Sequence, residues 1–257
     1  MPLTGHAPPT IEGPGGGVEF GVVGPLARSA EDLELALGVL AGPEGDEAAA
    51  YRLALPPPRA GALQGFRVLV LSEHPIAKTD EEVRGPIQAL AARLREAGAH
   101  VAEQSPLVPD LAACHQTYML MLGTIMSRGA PGADRAGLDA YGWMDGRDAI
   151  ARARAAWADA FRSFDVVLAP PFGVPAFPHI DNPDWSQRTL TVNAEATPYM
   201  AQLAWPGVAT FPGLPSTCAP LARTKDGLPT GVQIIGPRFE DLTPIAFAGL
   251  IARDAAG

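Results

Sequence analysis

Seven serines and two cysteines are the side chains that could act as catalytic nucleophiles. None of the serines lies in a G-x-S-x-G or S-x-x-K motif or beside another serine, so no local pattern identifies a nucleophile. Ser216 lies in the run G-L-P-S-T-C, but its neighbours continue as a strand, and an ordinary strand residue is the simpler interpretation. Cys114 and Cys218 are too far apart for any C-x-x-C metal or redox motif. The sequence therefore shows no self-contained site for nucleophilic catalysis.

The histidines and acidic residues give no clear alternative. Asp80, Glu81 and Glu82 stand where a helix is expected to begin, and the helix dipole explains them without acid–base catalysis. His179 could act as a general base, although a single loop histidine is usually only solvated. No H-x-H or H-E-x-x-H spacing links the five histidines, which are His6, His74, His100, His115 and His179. The glycines at 15–17 lack a phosphate-binding motif, so we predict neither a metal nor a cofactor.

Composition and charge restrict the function classes further. The 257 residues are 47% hydrophobic and carry a net charge of -9. Lys78 and Lys225 are the only lysines, and without a basic stripe we predict no nucleic-acid partner. The amino terminus lacks the pattern of a secretory signal, and the longest uncharged stretch, residues 196–222, contains five prolines. We expect a soluble, cytoplasmic protein that makes no membrane contact.

The elements that would position any site begin with a helix after Arg28. Ser29 is a suitable N-cap, and Gly42 followed by Pro43 ends the helix. The predicted apolar stripe of this helix consists of Leu33, Ala36, Leu37 and Leu40.

A β-α-β unit is predicted at about residues 62–106. Residues 66–71 and 99–103 are short apolar strands, and residues 79–97 between them are a helix that Lys78 opens. Its buried stripe is predicted to be Val83, Ile87, Leu90 and Leu94. Parallel strands joined through a helix indicate a sheet covered on both faces.

The remaining signals continue the alternation of helices and strands. Residues 111–127 and 147–164 are predicted helices, and residues 165–169 are a buried strand. Residues 216–221 and 230–235 flank an Asp-Gly pair, which predicts a hairpin. The predicted fold class is α/β, with a layered mixed β-sheet covered by helices.

Three segments in this order resemble the amidase signature family. Residues 23–43 read V-G-P-L-A-R-S-A-E-D-L-E-L-A-L-G-V-L-A-G-P, and residues 165–177 read D-V-V-L-A-P-P-F-G-V-P-A-F. Residues 211–241 contain the most specific run, G-L-P-T-G-V-Q-I-I-G-P. The likeness covers essentially the entire chain, and M-P-L-T-G at residues 1–5 is similar to the sequence that follows the nucleophile in family members.

The resemblance implies hydrolysis of carboxylic amide C–N bonds by a serine nucleophile. Family members use a Ser–cis-Ser–Lys triad whose signature lies upstream of the region that this chain resembles. Neither Lys78 nor Lys225 matches the catalytic lysine, and there is no Gly-Gly-Ser-Ser run. We therefore assign no catalytic residue. We expect residues 1–257 to form a single, incomplete amidase-signature domain that is inactive alone.

The resemblance also implies that part of a substrate pocket is present. Residues 170–177 leave the end of a strand, which is a common position for ligand contacts in an open α/β sheet. Candidates for the apolar wall, for which core packing is an equal alternative, are Tyr118, Met119, Trp143, Phe172, Tyr199 and Trp205. The expected ligand is a small-molecule amide.

Two functions remain open at this point. The chain is either derived from an amidase whose triad lies upstream or is supplied in trans by a complementing amino-terminal segment, or a non-catalytic amide-binding or scaffolding protein with the same fold. Because a sheet without its full set of neighbours leaves open edges and apolar surface, we also expect the isolated chain to form a homodimer, to exchange elements between copies or to be marginally stable.

Overall fold

The computed structural model describes residues 20–127 and 137–255. The glycines at 15–17 and the family-like residues 1–5 lie outside these ranges. Within them the α-helices are α1 (Ala30–Leu40), α2 (Glu47–Ala50), α3 (Glu81–Glu96), α4 (Leu111–Ser127), α5 (Ala140–Ser163), α6 (Ala204–Thr210) and α7 (Leu242–Asp254). The strands are β1 (Arg67–Val70), β2 (His100–Ala102), β3 (Val166–Ala169), β4 (Thr189–Val192), β5 (Glu195–Pro198), β6 (Ser216–Arg223) and β7 (Pro229–Ile235).

Five strands form one mixed sheet in the order β2-β1-β3-β7-β6. β1 runs parallel to both β2 and β3, whereas β7 is antiparallel to β3 and to β6. β4 and β5 form a separate two-stranded hairpin. The carboxyl ends of β1 and β3 therefore meet at one edge of the main sheet.

Alternating side chains of the strands pack against helices on both faces of the sheet. Val68 and Val70 belong to a core shared with α3 and α7, whereas Leu69 points into a core shared with α5 and α6. This arrangement confirms the predicted α/β class with helices covering a mixed sheet. No helix of the described ranges is both long and apolar enough to span a membrane.

The predicted elements are found, with some corrections. The β-α-β unit is β1–α3–β2, and all four residues of the predicted α3 stripe are buried. In α1 only Leu37 is buried, and Leu40 is 47% exposed, because the helix packs against the molecule along a narrow line. Lys78 lies in the loop before α3, since Asp80 is the N-cap and the helix begins at Glu81.

The carboxyl half of the chain contains elements that the pattern did not predict. Helix α5 begins at Ala140, seven residues before the predicted start, with Asp139 as its N-cap. The β4–β5 hairpin, α6 and α7 were also not predicted, nor was the short helix α2 in the amino half. Pro206 and Gly207 within α6 are residues that ordinarily disfavour a helix interior.

An ionic cluster around the buried Asp165 lies at the opposite, amino edge of β3. The Asp165 carboxylate accepts hydrogen bonds from the Arg67 backbone and guanidinium and from Arg59. Arg59 also donates to Glu240 and to the carbonyls of Phe161 and Phe164. Burial opposes ionisation of Asp165, but the arginine contacts outweigh it and lower its pKa.

Candidate functional site

The candidate site lies at the carboxyl edge of β1 and β3. The loop of residues 71–80 follows β1, and the loop of residues 170–178 follows β3, so both leave the sheet at this edge. Lys225, in the β6–β7 turn, reaches the same edge, where its backbone N–H donates to Glu82 of α3. In open α/β sheets this edge is the usual position of ligand contacts.

A buried glutamine joins the two loops. The Gln202 side chain is fully buried, and its Oε1 accepts a hydrogen bond from the Gly173 N–H at 3.0 Å. Its Nε2 donates to the Lys78 carbonyl at 2.9 Å, and the Asp80 N–H donates to the Gly173 carbonyl at 2.7 Å. Because both ends of the side-chain amide are bonded, Gln202 holds the loops in one relative position.

The β4–β5 hairpin is attached to the same edge through the amino end of α3. The Asp80 carboxylate accepts from the backbone of Glu82 and from that of Asn193, while Asn193 Oδ1 accepts from the Glu81 N–H. Asn193 and Ala194 have positive φ, as the hairpin turn requires. Lys78 forms an ion pair with Glu195 at the start of β5. The hairpin is therefore held beside the loop that follows β1.

An aromatic cluster lies next to these loops. Phe172 stacks on Phe177 with ring centroids 6.3 Å apart, and Tyr199 contacts both rings at 6.1 Å. Trp185 packs edge-on against Tyr199 at 5.7 Å, and the Arg188 guanidinium lies over the Trp185 ring. Phe177 and Trp185 are 41% and 53% exposed, so the cluster presents aromatic surface to solvent.

The six predicted pocket residues fall into separate groups. Phe172 and Tyr199 belong to the aromatic cluster, whereas Trp205 is fully buried in the core between the sheet, α5 and α6. Tyr118 of α4 is buried in a third group, which α4 and α5 form between them, and the half-buried Met119 and Trp143 pack against this group. The chain from Tyr199 to Gly207 connects the groups, because a Cβ at Gly207 would lie 3.1 Å from the Tyr118 ring. Their contact with substrate stays a prediction.

Two histidines border a small cavity beside Trp205. The His74 ring lies 6.2 Å from His115 and 5.5 Å from Trp205, centroid to centroid, and Cys114 also lines the cavity. Burial, with a contribution from His115, lowers the pKa of His74 to about 4, and burial also lowers the pKa of His115. Both rings are therefore neutral at neutral pH. In the described part of the chain, no three His, Cys, Asp or Glu side chains are arranged to hold a metal ion.

The serines and lysines do not form a catalytic pair. All seven serines and both lysines lie in the described ranges, and no hydrogen bond there joins a serine to a lysine. Ser29 caps α1, Ser127 donates to the Thr124 carbonyl and Ser186 donates to Asp184. Ser216 pairs with Ile235 at the amino edge of β3, away from the loops described above. Among the described residues, therefore, no serine is hydrogen-bonded to a lysine that could activate it.

Sequence patterns did not identify the residues that organise this edge. Gln202 and Gly173 are 29 residues apart, and Gln202 and Lys78 are 124 apart, so no local spacing connects them. The contact between the His74 and His115 rings could not be predicted either, because the two residues are far apart in sequence and have no metal-binding spacing. The one available signal was the position of residues 71–80 and 170–178 after predicted strands.

A family model described as Amidase matches residues 9–129 and 123–243. A glutamyl-tRNA(Gln) amidotransferase subunit from Deinococcus radiodurans is 29% identical over 89% of this chain and 54% of its own length. The corresponding subunit from a Synechococcus strain is 27% identical over 83% of this chain and 50% of its own length. The chain thus spans about half the length of these curated relatives.

Solved structures agree at the level of the fold. The corresponding amidotransferase subunit from Thermotoga maritima superposes with a TM-score of 0.69 at 19% identity, over 90% of this chain and 52% of that one. A bacterial aryl acylamidase of the amidase signature family superposes with a TM-score of 0.63 at 25% identity, with the same two coverages. Since the family match covers most of the sequence and the fold agrees, the chain belongs to the amidase family.

Proposed function

We propose that this chain forms the substrate-binding portion of an amide-hydrolysing protein and is inactive as an isolated polypeptide. The observation that carries the proposal is the contrast between an organised sheet edge and the lack of any serine–lysine contact among the described residues. The loops joined by Gln202 and the adjoining aromatic rings supply the surface that we propose contacts an amide. Hydrolysis would then depend on a Ser–cis-Ser–Lys triad supplied by a complementing segment.

The ligand class follows from the walls of the site. Phe172 and Tyr199 offer apolar faces to an acyl or aryl group. The proposed substrate is therefore a small amide with an apolar acyl or aryl group. The names of the relatives, which include an amidotransferase and an aryl acylamidase, are consistent with amide chemistry.

The first test is ammonia release by the purified 257-residue chain from benzamide and isobutyramide. We expect no turnover from the chain alone. Turnover that survives repurification and disappears in Ser216→Ala or Cys218→Ala would contradict the proposal, because it would identify a nucleophile within this sequence. Co-expression with an amino-terminal amidase segment that carries the triad is expected to produce hydrolysis.

A binding measurement separates the amidase from a non-catalytic amide-binding protein. Benzamide binding is followed by tryptophan fluorescence in the unmodified chain and in Tyr199→Ala, which we expect to bind at least about tenfold more weakly. Phe239→Ala is the matched control, since this exposed aromatic follows β7 at the opposite edge of the sheet. Binding without hydrolysis in the complemented sample would favour the non-catalytic alternative.

A further inference from the structure

Arg188 places a positive charge beside the aromatic cluster of the candidate site. Its guanidinium carbon lies 4.4 Å from the centre of the Trp185 ring, and Trp185 in turn packs edge-on against Tyr199 at 5.7 Å. The Tyr199 N–H also donates a hydrogen bond to the Arg188 carbonyl at 2.9 Å. The guanidinium is therefore one aromatic ring away from Tyr199, which the proposed function places in contact with the ligand.

Two contacts fix the orientation of the Arg188 side chain. Its planar guanidinium stacks on the Trp185 ring, and its Nε donates a hydrogen bond to the Asn182 carbonyl at 2.7 Å. The residue is half-buried, so its conformational freedom is restricted before any ligand binds. A group that is already ordered in the free protein loses less entropy on binding, which favours affinity.

The two terminal NH₂ groups of Arg188 remain available as hydrogen-bond donors. Within the described ranges they donate to no acceptor, and the guanidinium forms no ion pair. The carboxylate nearby in sequence, that of Asp184, serves its own turn, where it accepts from the backbone and hydroxyl of Ser186 and from Gln187 Nε2. A positively charged group with fixed geometry and unused donors is suited to an anion from outside the chain.

The chemistry around these donors indicates which anion fits. A guanidinium presents parallel N–H groups that match the two oxygens of a carboxylate, and one arginine balances one negative charge. Phe177 and Trp185 are exposed beside the guanidinium and offer apolar surface to a ring. An aryl group that carries a carboxylate combines the two features.

We propose that Arg188 is a specificity-determining residue that binds a carboxylate of the substrate. The preferred substrates are then aryl amides that carry a carboxylate on the side of the ring away from the amide. The carboxylate accepts hydrogen bonds from the terminal nitrogens of Arg188, while the aryl ring packs against the cluster that contains Trp185 and Tyr199. This inference rests on the proposed function, because it assigns the aryl group to the aromatic cluster, and it narrows the class of substrate.

The test compares benzamide with 4-carbamoylbenzoate, which differs from it only by a carboxylate opposite the amide. Binding of each ligand to the 257-residue chain is measured by ligand-observed NMR titration. We expect 4-carbamoylbenzoate to bind about three- to tenfold more tightly. Added salt should reduce this preference, because the contact is ionic and partly exposed. In Arg188→Gln the preference should disappear.

Arg238→Gln is the matched control. The Arg238 guanidinium carbon lies 4.0 Å from the centre of the exposed Phe239 ring, so this residue is also an arginine stacked on an aromatic side chain. It follows β7 at the opposite edge of the sheet, and its substitution should leave the preference intact. Arg188→Lys retains the charge without the planar pair of donors and should keep only part of the preference.

The possible outcomes separate this inference from the proposed function. Equal affinity of the unmodified chain for the two ligands, or a preference that Arg188→Gln leaves intact, would overturn the inference, while binding of benzamide would still support the proposed function. An equal loss of preference in Arg238→Gln would also overturn the inference, since the effect would then come from the net charge of the chain. Failure of both ligands to bind would overturn the proposed function and the inference together.

Discussion

Gly173 has no space for a side chain at the candidate site. A Cβ at this position would lie 2.5 Å from the Lys78 carbonyl oxygen and closer still to Gln202 Oε1. We expect Gly173→Ala to lower the free energy of unfolding by about 2–3 kcal/mol, because backbone or Gln202 must move and their hydrogen bonds are then weakened. Urea denaturation measures the change. Gly123→Ala is the control, since this helical glycine has nothing within 4 Å, and it should stabilise the protein slightly.

The burial of His74 makes the stability of the folded chain depend on pH. Its pKa falls from an ordinary 6.5 to about 4 in the folded protein, because burial and the neighbouring His115 disfavour the charged ring. Between these pH values the unfolded chain binds a proton that the folded chain does not, so stability is lost as the pH falls from 6.5 towards 4. After allowance for partial solvent exposure, the His74 contribution is about 1–2 kcal/mol.

The measurement compares urea unfolding at neutral and mildly acidic pH in the unmodified chain and in His74→Gln. We expect the variant to lose less stability on acidification, and the difference isolates His74 from carboxylates that titrate in the same range. His100→Gln, at an exposed position on β2, controls for removal of a histidine as such. If the stability of all three proteins falls equally on acidification, folding does not lower the pKa of His74.

At the scale of elements, Arg59 connects the loop before β1 to three other parts of the chain. Its guanidinium bonds to Glu240 before α7, to the carbonyls at the end of α5 and to Asp165 before β3. Arg59→Ala leaves Glu240 and the α5 carbonyls without this donor, whereas Asp165 keeps its hydrogen bonds from Arg67, and we expect a loss of about 2–4 kcal/mol in urea denaturation. Arg84→Ala removes an exposed i,i+3 pair with Glu81 and should have a much smaller effect. Similar losses in the two variants would contradict a structural role for the Arg59 cluster.

The elements that sequence patterns predicted are those whose signal is local. The periodic Val83, Ile87, Leu90 and Leu94 identify α3, and the Asp-Gly pair identifies the β6–β7 turn. The β4–β5 turn uses Asn193 and Ala194, and an alanine with positive φ gives no turn signal in a sequence.

Tertiary contacts determine the parts that could not be predicted. Gly142 and Gly146 weaken the helix signal at the start of α5, because glycine has a low helix propensity. A Cβ at Gly146 would meet Met121 of α4, so close packing of the two helices favours glycine there. The candidate site follows the same rule. Its location could be predicted from the loops after β1 and β3, but Gln202 could not, because its partners are distant in sequence.

At the scale of the molecule, the open edges of the main sheet at β2 and β6 and the exposed apolar side chains favour association of copies of the chain. If folded copies associate and separate on unfolding, the thermal midpoint must rise with protein concentration. We expect a rise of about 2–4 °C for a hundredfold increase in a chain of this length. Scanning calorimetry at two concentrations measures the midpoint. A midpoint that does not change with concentration would place the stability of this fold within the single chain.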